Sequence, residues 1–197
     1  MVVSRAAGVA TAVAELRAYG ASVSSWERHI AAASHELPTI RMPGFNLKMT
    51  DIQAGIGLQQ LAKIGSIIDR RRRIAAEYDM AFRSLHWLRI PTPPRAVEQS
   101  HQSYVIQINA GSNTDSDRYS IRERLIRHLA ERGVASVQAA QDMTTLDFFK
   151  QRFDWSAVSC PMAREAEQGA LALPIFPSMS EADISQVIAA VLSFQNY

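Results

Sequence analysis

The residues best suited to chemistry lie in a turn that leads directly into a helix. Asn46 follows Gly44 in this turn, and Thr50 begins the helix as its N-cap, with Gln53 completing a capping box. Asp51 adds a negative charge to the first helical turn, where the helix dipole stabilises it. A side-chain amide beside a helix start is suited to binding phosphate. The alternative is that Asn46 only shapes the turn, as asparagine often does.

The helix that follows contains two closely spaced glycines, Gly55 and Gly57. A glycine inside a helix costs about 1 kcal/mol relative to alanine, so two of them need a reason. We expect another backbone or a ligand to approach this helix closely. Ile52 and Ile56 recur at helical spacing and predict an apolar face beside the glycines.

Other common chemistries have no matching pattern in this chain. The histidines at positions 29, 35, 86 and 128 lack metal-ligand spacing, and neither a glycine-rich phosphate loop nor a Ser-His-Asp order is present. We therefore predict no metal site. Cys160 is the only cysteine, so no internal disulfide can form, which fits a reducing cytoplasm.

Composition limits the class of protein. A chain of 197 residues suffices for one ordinary domain, or for a small domain with part of another. Its 47% hydrophobic and 20% charged residues are typical of a soluble globular protein. The net charge of +2 is too small to favour nucleic acid as a partner. No apolar run approaches the roughly 20 residues of a membrane span, so we expect no membrane partner.

Four consecutive arginines, at positions 70–73, lie on a helix predicted over residues 66–85. One interpretation is a solvated helix face on which some arginines pair with acidic residues. The other is a patch that binds phosphate or nucleic acid. The second is weakened because no aromatic residues alternate with the arginines and because the net charge is small.

Proline marks the clearest boundary in the chain. Three prolines within residues 91–94 cannot continue a helix and favour an extended linker. We therefore predict one domain over residues 1–90 and another over residues 95–197. In the first, an alanine-rich helix over residues 6–18 should stop at Gly20. Residues 22–43 should be irregular, with a short helix at residues 25–33.

Beyond the linker, predicted strands alternate with predicted helices. Strands are expected at residues 103–108, 134–137 and 171–175. Helices are expected at residues 116–132 and 162–170 and from Ser180 onwards. This alternation predicts an α/β fold in which a small sheet is packed by helices, an α+β small domain that follows the long connecting helices.

Several of these segments together resemble a known family. The run Gly-Phe-Asn-Leu-Lys-Met-Thr-Asp-Ile-Gln-Ala-Gly-Ile-Gly-Leu-Gln-Gln-Leu at residues 44–61 strongly resembles the sugar aminotransferases of the DegT/DnrJ/EryC1/StrS type. The likeness continues through Arg-Ile-Ala-Ala-Glu-Tyr at 73–78, Cys-Pro at 160–161 and Leu-Ala-Leu-Pro at 171–174, and Leu-Arg-Ala-Tyr-Gly-Ala-Ser at 16–22 also fits. Members of the family are longer chains, and this one resembles their second half.

The resemblance implies a pyridoxal-phosphate (PLP) enzyme of the aspartate-aminotransferase fold, fold type I. Such enzymes move an amino group from an amino-acid donor to a keto sugar carried on a nucleotide. Residues 1–90 would then be the end of the large PLP domain, with the cofactor-contact turn and the long connecting helix. Residues 95–197 would be the small C-terminal domain.

The same resemblance assigns site residues. Asn46 matches the asparagine that reaches across a dimer interface to the cofactor phosphate of the other subunit. Lys48 stands where the family often carries a basic residue and could meet a substrate phosphate, or it could be an exposed, solvated lysine. His101 and Tyr104 approach the mouth of the active site in the family, although both residue types are often purely structural in such positions.

One departure from the family decides what we expect of this chain alone. The resemblance places the lysine that holds the cofactor before Met1, together with its aspartate and aromatic partners, so we predict no catalytic residue here. We expect a fragment that is inactive alone and that forms a homodimer or associates with a lysine-bearing N-terminal half. The alternative is a non-catalytic remnant that acts as a dimerisation or protein-interaction module.

Overall fold

The computed structural model describes residues 2, 4–22, 39–94, 96–109, 115–153, 155 and 160–195. It divides into two compact units, Met1–Ala62 and Lys63–Tyr197. The short helix predicted at residues 25–33 lies outside the described residues. The predicted domains, 1–90 and 95–197, concern the organisation of a longer enzyme and stay a prediction.

The first unit contains two described helices, α1 (Ala7–Leu16) and α2 (Asp51–Leu61). The chain leaves α1 through Tyr19 and Gly20, whose positive φ angles of 63° and 76° turn it sharply. The predicted capping box of α2 is confirmed. The Gln53 N–H donates to Thr50 Oγ1 at 3.3 Å, and the Thr50 N–H donates to Gln53 Oε1 at 3.0 Å.

The second unit is built on a four-stranded antiparallel sheet. The strands are β1 (Leu88–Arg89), β2 (Tyr104–Ile108), β3 (Val137–Gln138) and β4 (Ala170–Leu173), in the order β1-β2-β4-β3. β2 and β4 form the centre, with Tyr104 opposite Leu173 and Gln107 opposite Ala170. This arrangement confirms the prediction of a small sheet packed by helices.

Five described helices and one 3-10 turn accompany the sheet. They are α3 (Ile64–Phe82), α4 (Asp115–Glu131), the 3-10 turn Met143–Thr145, α5 (Asp147–Phe153), α6 (Pro161–Gly169) and α7 (Glu181–Leu192). α4 contacts β2, α6 and α7, and α7 also contacts α3. Alternate residues of β2 are buried and meet apolar residues of the helices, which include Tyr78, Phe82, Leu125, Leu129, Ile184 and Val191.

One predicted strand is wrong in its extent. Strand geometry was expected at residues 134–137, but only Val137 and Gln138 pair with β4. Val134 instead closes the turn that follows α4, because its N–H donates to Leu129 O at 2.9 Å after Gly133 turns the chain with φ of 72°. β1 was not predicted at all, since two residues are too few to show a period.

None of the helices in the described parts of the chain combines the length and the apolar character needed to cross a bilayer.

Candidate functional site

The turn that contains Asn46 is held by main-chain hydrogen bonds to the end of α1. The Phe45 N–H donates to Leu16 O at 2.7 Å, and the Leu47 N–H donates to Arg17 O at 2.9 Å. Both bonds flank Asn46, which forms an isolated antiparallel bridge with Ala18. The backbone position of Asn46 is therefore set by residues almost thirty positions earlier in the chain.

Two glycines allow this close backbone crossing. A Cβ atom built on Gly44 would lie 2.1 Å from the Gly20 nitrogen, and one built on Gly20 would lie 1.7 Å from Met42 O. No side chain fits at either position. The sequence pattern predicts Gly20 only as a helix stop and predicts no role for Gly44, because the contact between them joins distant segments.

An ion pair adds a second link between these segments. Glu15 is only 6% exposed, and its carboxylate accepts a hydrogen bond from Arg41 Nη1 at 3.1 Å. The main-chain carbonyl of Glu15 also accepts the Gly20 N–H at 2.8 Å. A buried carboxylate needs such a partner, so Arg41 stabilises the α1 end of the turn. No local sequence pattern predicts this pair, because its residues are 26 positions apart.

The side chain of Asn46 is exposed and has no hydrogen bond within the described residues. Its amide can therefore donate to a ligand or to another chain without breaking an internal bond. Lys48 is also exposed, and its ammonium lies 5.1 Å from the centroid of the Tyr19 ring. The contacts predicted for Asn46 with the cofactor and for Lys48 with substrate stay predictions.

Tyr104, predicted near a substrate, lies in the second unit and is fully buried. Its hydroxyl donates to Asp79 Oδ1 at 2.7 Å, and its ring packs edge-on against Tyr78 with centroids 5.1 Å apart. Burial, together with the hydrogen bond to Asp79, raises the pKa of Tyr104 far above its usual value. This environment is that of a core residue, and a substrate contact for Tyr104 stays a prediction.

His101 precedes β2 with a left-handed backbone, φ of 47°. Its carbonyl accepts a hydrogen bond from Arg71 at 2.8 Å, and its Nδ1 is buried without a partner in the described part of the chain. Burial lowers the pKa of the imidazole, so the ring is neutral near pH 7. The strained backbone is held by the arginine, and the predicted substrate role of His101 stays a prediction.

The arginine run on α3 connects this helix to two other segments of the second unit. Three of the four arginines donate to acceptors far away in sequence, two of them to a carboxylate as well as to main-chain carbonyls. This supports the interpretation in which the arginines pair within the fold. The acceptors are Met179 O and Glu181 for Arg70, His101 O and Gln102 O for Arg71, and Gln99 O and Glu98 for Arg72.

A PLP site needs groups that hold the phosphate and a lysine that holds the aldehyde. The exposed Asn46 amide fits the first requirement. The three lysines of the chain, Lys48, Lys63 and Lys150, are all exposed, so none has the enclosed surroundings of a cofactor lysine. The described residues also hold no cluster of metal-binding side chains. The contact of Asn46 with the cofactor and the absence of a cofactor lysine from this chain stay predictions.

The fold is that of known aminotransferases. Helicobacter pylori PseC, an aminotransferase involved in the biosynthesis of pseudoaminic acid, matches with a TM-score of 0.79 at 16% identity over 96% of this chain and 47% of that one. The PLP-form of the putative sugar aminotransferase Spr1654 from Streptococcus pneumoniae matches with a TM-score of 0.72 at 24% identity, over 89% of this chain and 40% of that one.

The chain belongs to the DegT/DnrJ/EryC1/StrS aminotransferase family, which matches residues 1–192. It is 29% identical over 184 residues to the uncharacterized protein MJ1066 of Methanocaldococcus jannaschii, a match that covers 93% of this chain and 46% of the relative. The chain thus spans about half the length of the relatives that it matches. The family resemblance inferred from the motifs is confirmed.

Proposed function

We propose that this chain forms the C-terminal part of a PLP-dependent sugar aminotransferase. The observation that supports this most directly is the Asn46 turn, in which a fixed backbone presents an uncommitted amide beside the capped start of α2. The backbone at Asn46 is fixed before any ligand arrives, so only the side chain loses conformational entropy on binding. Asn46 would donate to the cofactor phosphate of a neighbouring subunit.

PLP, when bound, supplies an electron sink for amino transfer. The residues of this chain bind and orient around it. The Gly20–Gly44 crossing and the Glu15–Arg41 pair hold the turn, and Lys48 adds a positive charge two residues beyond Asn46. This charge suits a keto sugar carried on an anionic nucleotide, with an amino acid as the second substrate.

We expect the isolated chain to be inactive. Because Lys48, Lys63 and Lys150 are exposed, we expect none of them to hold the cofactor, and transamination would require association with a lysine-bearing half. In a homodimer of the assembled enzyme, the Asn46 turn of one subunit would lie against the cofactor site of the other. A cytoplasmic location fits these metabolites and the single cysteine.

The test combines the purified chain with the lysine-bearing half of a family aminotransferase and measures amino transfer from glutamate to a nucleotide-linked keto sugar. We expect activity only in the combination. Asn46→Ala should weaken PLP binding about tenfold to a hundredfold, since one hydrogen bond to a charged phosphate is worth about 1.5–3 kcal/mol. The matched control is Gln59→Ala, which removes an exposed amide from α2 that has no hydrogen bond within the described residues.

Two results would contradict the proposal. One is equal PLP affinity in the combinations that carry Asn46→Ala and Gln59→Ala. This result would show that Asn46 does not contact the cofactor phosphate. The other is the absence of amino transfer in every combination of halves. Selective attachment of PLP to one lysine of the isolated chain, detected by mass spectrometry after borohydride reduction, would contradict the expectation that none of its lysines holds the cofactor.

A second function is favoured by the surface of α2. The helix has no buried residue, and Ile52 and Ile56 are 77% and 61% exposed. A Cβ atom on Gly55 or Gly57 would meet nothing within 4 Å. These features support a contact face for a second copy of the chain. The chain could then act as a dimerisation module, with or without catalysis.

A further inference from the structure

A basic recess lies in the second unit between α4 and the end of α7. It is open to solvent and has a volume of about 610 Å³. We call it the arginine recess and define it by Arg124, Arg127, Arg132 and Phe194. No feature of the Asn46 turn takes part in it, and the proposed aminotransferase function does not require it.

The charge of the arginine recess is concentrated. Three arginines face one lining carboxylate, Glu131, which leaves a formal charge of +2 with His128 counted as neutral. The whole chain of 197 residues has the same formal charge of +2. Glu131 lies 3.9 Å from Arg132, at the limit of an ion pair. The lining of the recess therefore contains more arginines than carboxylates.

Part of this basic character has a structural explanation. Arg132 donates to His128 O at 3.1 Å, which satisfies a carbonyl at the end of α4. His128 Nε2 lies 3.0 Å from Ala190 O and 3.1 Å from Ser193 Oγ at the end of α7. These two side chains thus stabilise helix ends, as basic residues commonly do.

Arg127 does not stabilise a helix end in this way. Its Nε donates to Glu123 O at 3.3 Å within α4, and its two terminal nitrogens have no partner among the described residues. The guanidinium of Arg124 lies 5.9 Å from the centroid of the Phe194 ring, which Trp87 supports from a centroid distance of 5.3 Å. The Phe194 ring thus lies beside the guanidinium of Arg124, and the terminal nitrogens of Arg127 are able to donate to a ligand.

We propose that the arginine recess binds a small molecule through one or two phosphate groups. Guanidinium groups match phosphate oxygens in pairs of hydrogen bonds, and they are weakly hydrated, so they bind phosphate more specifically than lysine does. The terminal nitrogens of Arg127 make these contacts, and Arg124 and Arg132 add positive charge beside them. A polynucleotide or an anionic membrane would need an extended basic surface, whereas these three arginines line a single recess.

The test is calorimetric titration of the full chain with inorganic pyrophosphate at low salt. We expect saturable binding that Arg127→Ala weakens about tenfold and that Glu131→Gln strengthens several-fold, because the latter removes the one competing carboxylate. The matched control is Arg73→Ala, an exposed arginine of α3 without a hydrogen bond in the described part of the chain. Thermal unfolding of each variant verifies that it folds.

Further arms separate the source of the phosphate from the site itself. A nucleoside diphosphate that binds at least tenfold more tightly than pyrophosphate identifies a nucleotide, whereas equal affinities identify a bare phosphate ligand. Gln59→Ala, at an exposed amide of α2 outside the recess, should leave pyrophosphate binding unchanged. Because pyrophosphate binding is measured on the chain alone and amino transfer on the combined halves, failure of this site and failure of the proposed function are distinguishable. The proposal is overturned if pyrophosphate does not bind at millimolar concentration, if Arg127→Ala binds as the unaltered chain does, or if RNA competes more strongly than any small phosphate.

Discussion

At the scale of single residues, the same polar type serves different purposes according to its surroundings. Asn46 has an exposed amide with no internal bond, whereas the Tyr104 hydroxyl is buried and committed to Asp79. Both were candidates for ligand contact from their sequence positions. Burial separates them, because a buried hydroxyl without a partner would cost about 1–3 kcal/mol.

We predict that Tyr104→Phe destabilises the chain by about 1–2 kcal/mol, because it removes the hydrogen bond to Asp79 and leaves that carboxylate without its donor. Urea denaturation measures the change. The control is Tyr119→Phe, at a half-exposed tyrosine, which should stay within about 0.5 kcal/mol. A loss no larger than that of the control would mean that the bond does not contribute to stability.

The same residue predicts a dependence on alkaline pH. The pKa of Tyr104 is raised by burial and by Asp79, so the folded state favours the neutral phenol. Its contribution to stability is complete below the ordinary tyrosine pKa of about 10 and is lost as pH rises above it. Tyr104→Phe should therefore reduce the alkaline loss of stability, as measured by unfolding between about pH 8 and 11.

At the scale of elements, glycines in this chain act in two opposite ways. Gly44 allows a backbone crossing that no side chain could enter, while Gly55 lies in a helix with open space around it. The first glycine is required by tertiary contact. The second only weakens α2, unless a partner approaches there.

We predict that Gly44→Ala destabilises the first unit by at least about 1–3 kcal/mol, because its methyl group would collide with the main chain at Gly20. Gly55→Ala, the matched control, should stabilise α2 by about 0.5–1 kcal/mol. Hydrogen exchange of the Phe45 amide reports on the crossing. Unchanged protection in the Gly44→Ala chain would show that the crossing tolerates the methyl group.

At the scale of the whole molecule, the exposed apolar face of α2 is suited to contact with a second copy of the chain. We predict that the chain self-associates through this face and that Ile56→Lys shifts it to the monomer, because a charge would be buried against apolar side chains. Light scattering coupled to size-exclusion chromatography measures the mass. Gln59→Lys, a charge at an exposed polar position of the same helix, is the control. A monodisperse monomer of the unaltered chain would rule out the α2 face as a homodimer contact.

Local interactions explain what the sequence by itself determined. The capping boxes of α2 and α7 join residues three positions apart, and the helix stops at Gly20 and Gly133 depend on the backbone freedom of one residue. The spaced motifs of residues 44–61 and 171–174 likewise identified the family. All of these features can be found without knowing which segments meet.

Only the tertiary structure decided which segments meet. The Asn46 turn is fixed by Leu16 and Arg17, Tyr104 is tied to Asp79, and the arginine recess joins α4 to the residues after α7. The short β3 and β1 also depend on pairing with distant strands. Such contacts depend on burial and backbone approach between residues far apart in the chain, and no local period or propensity encodes them.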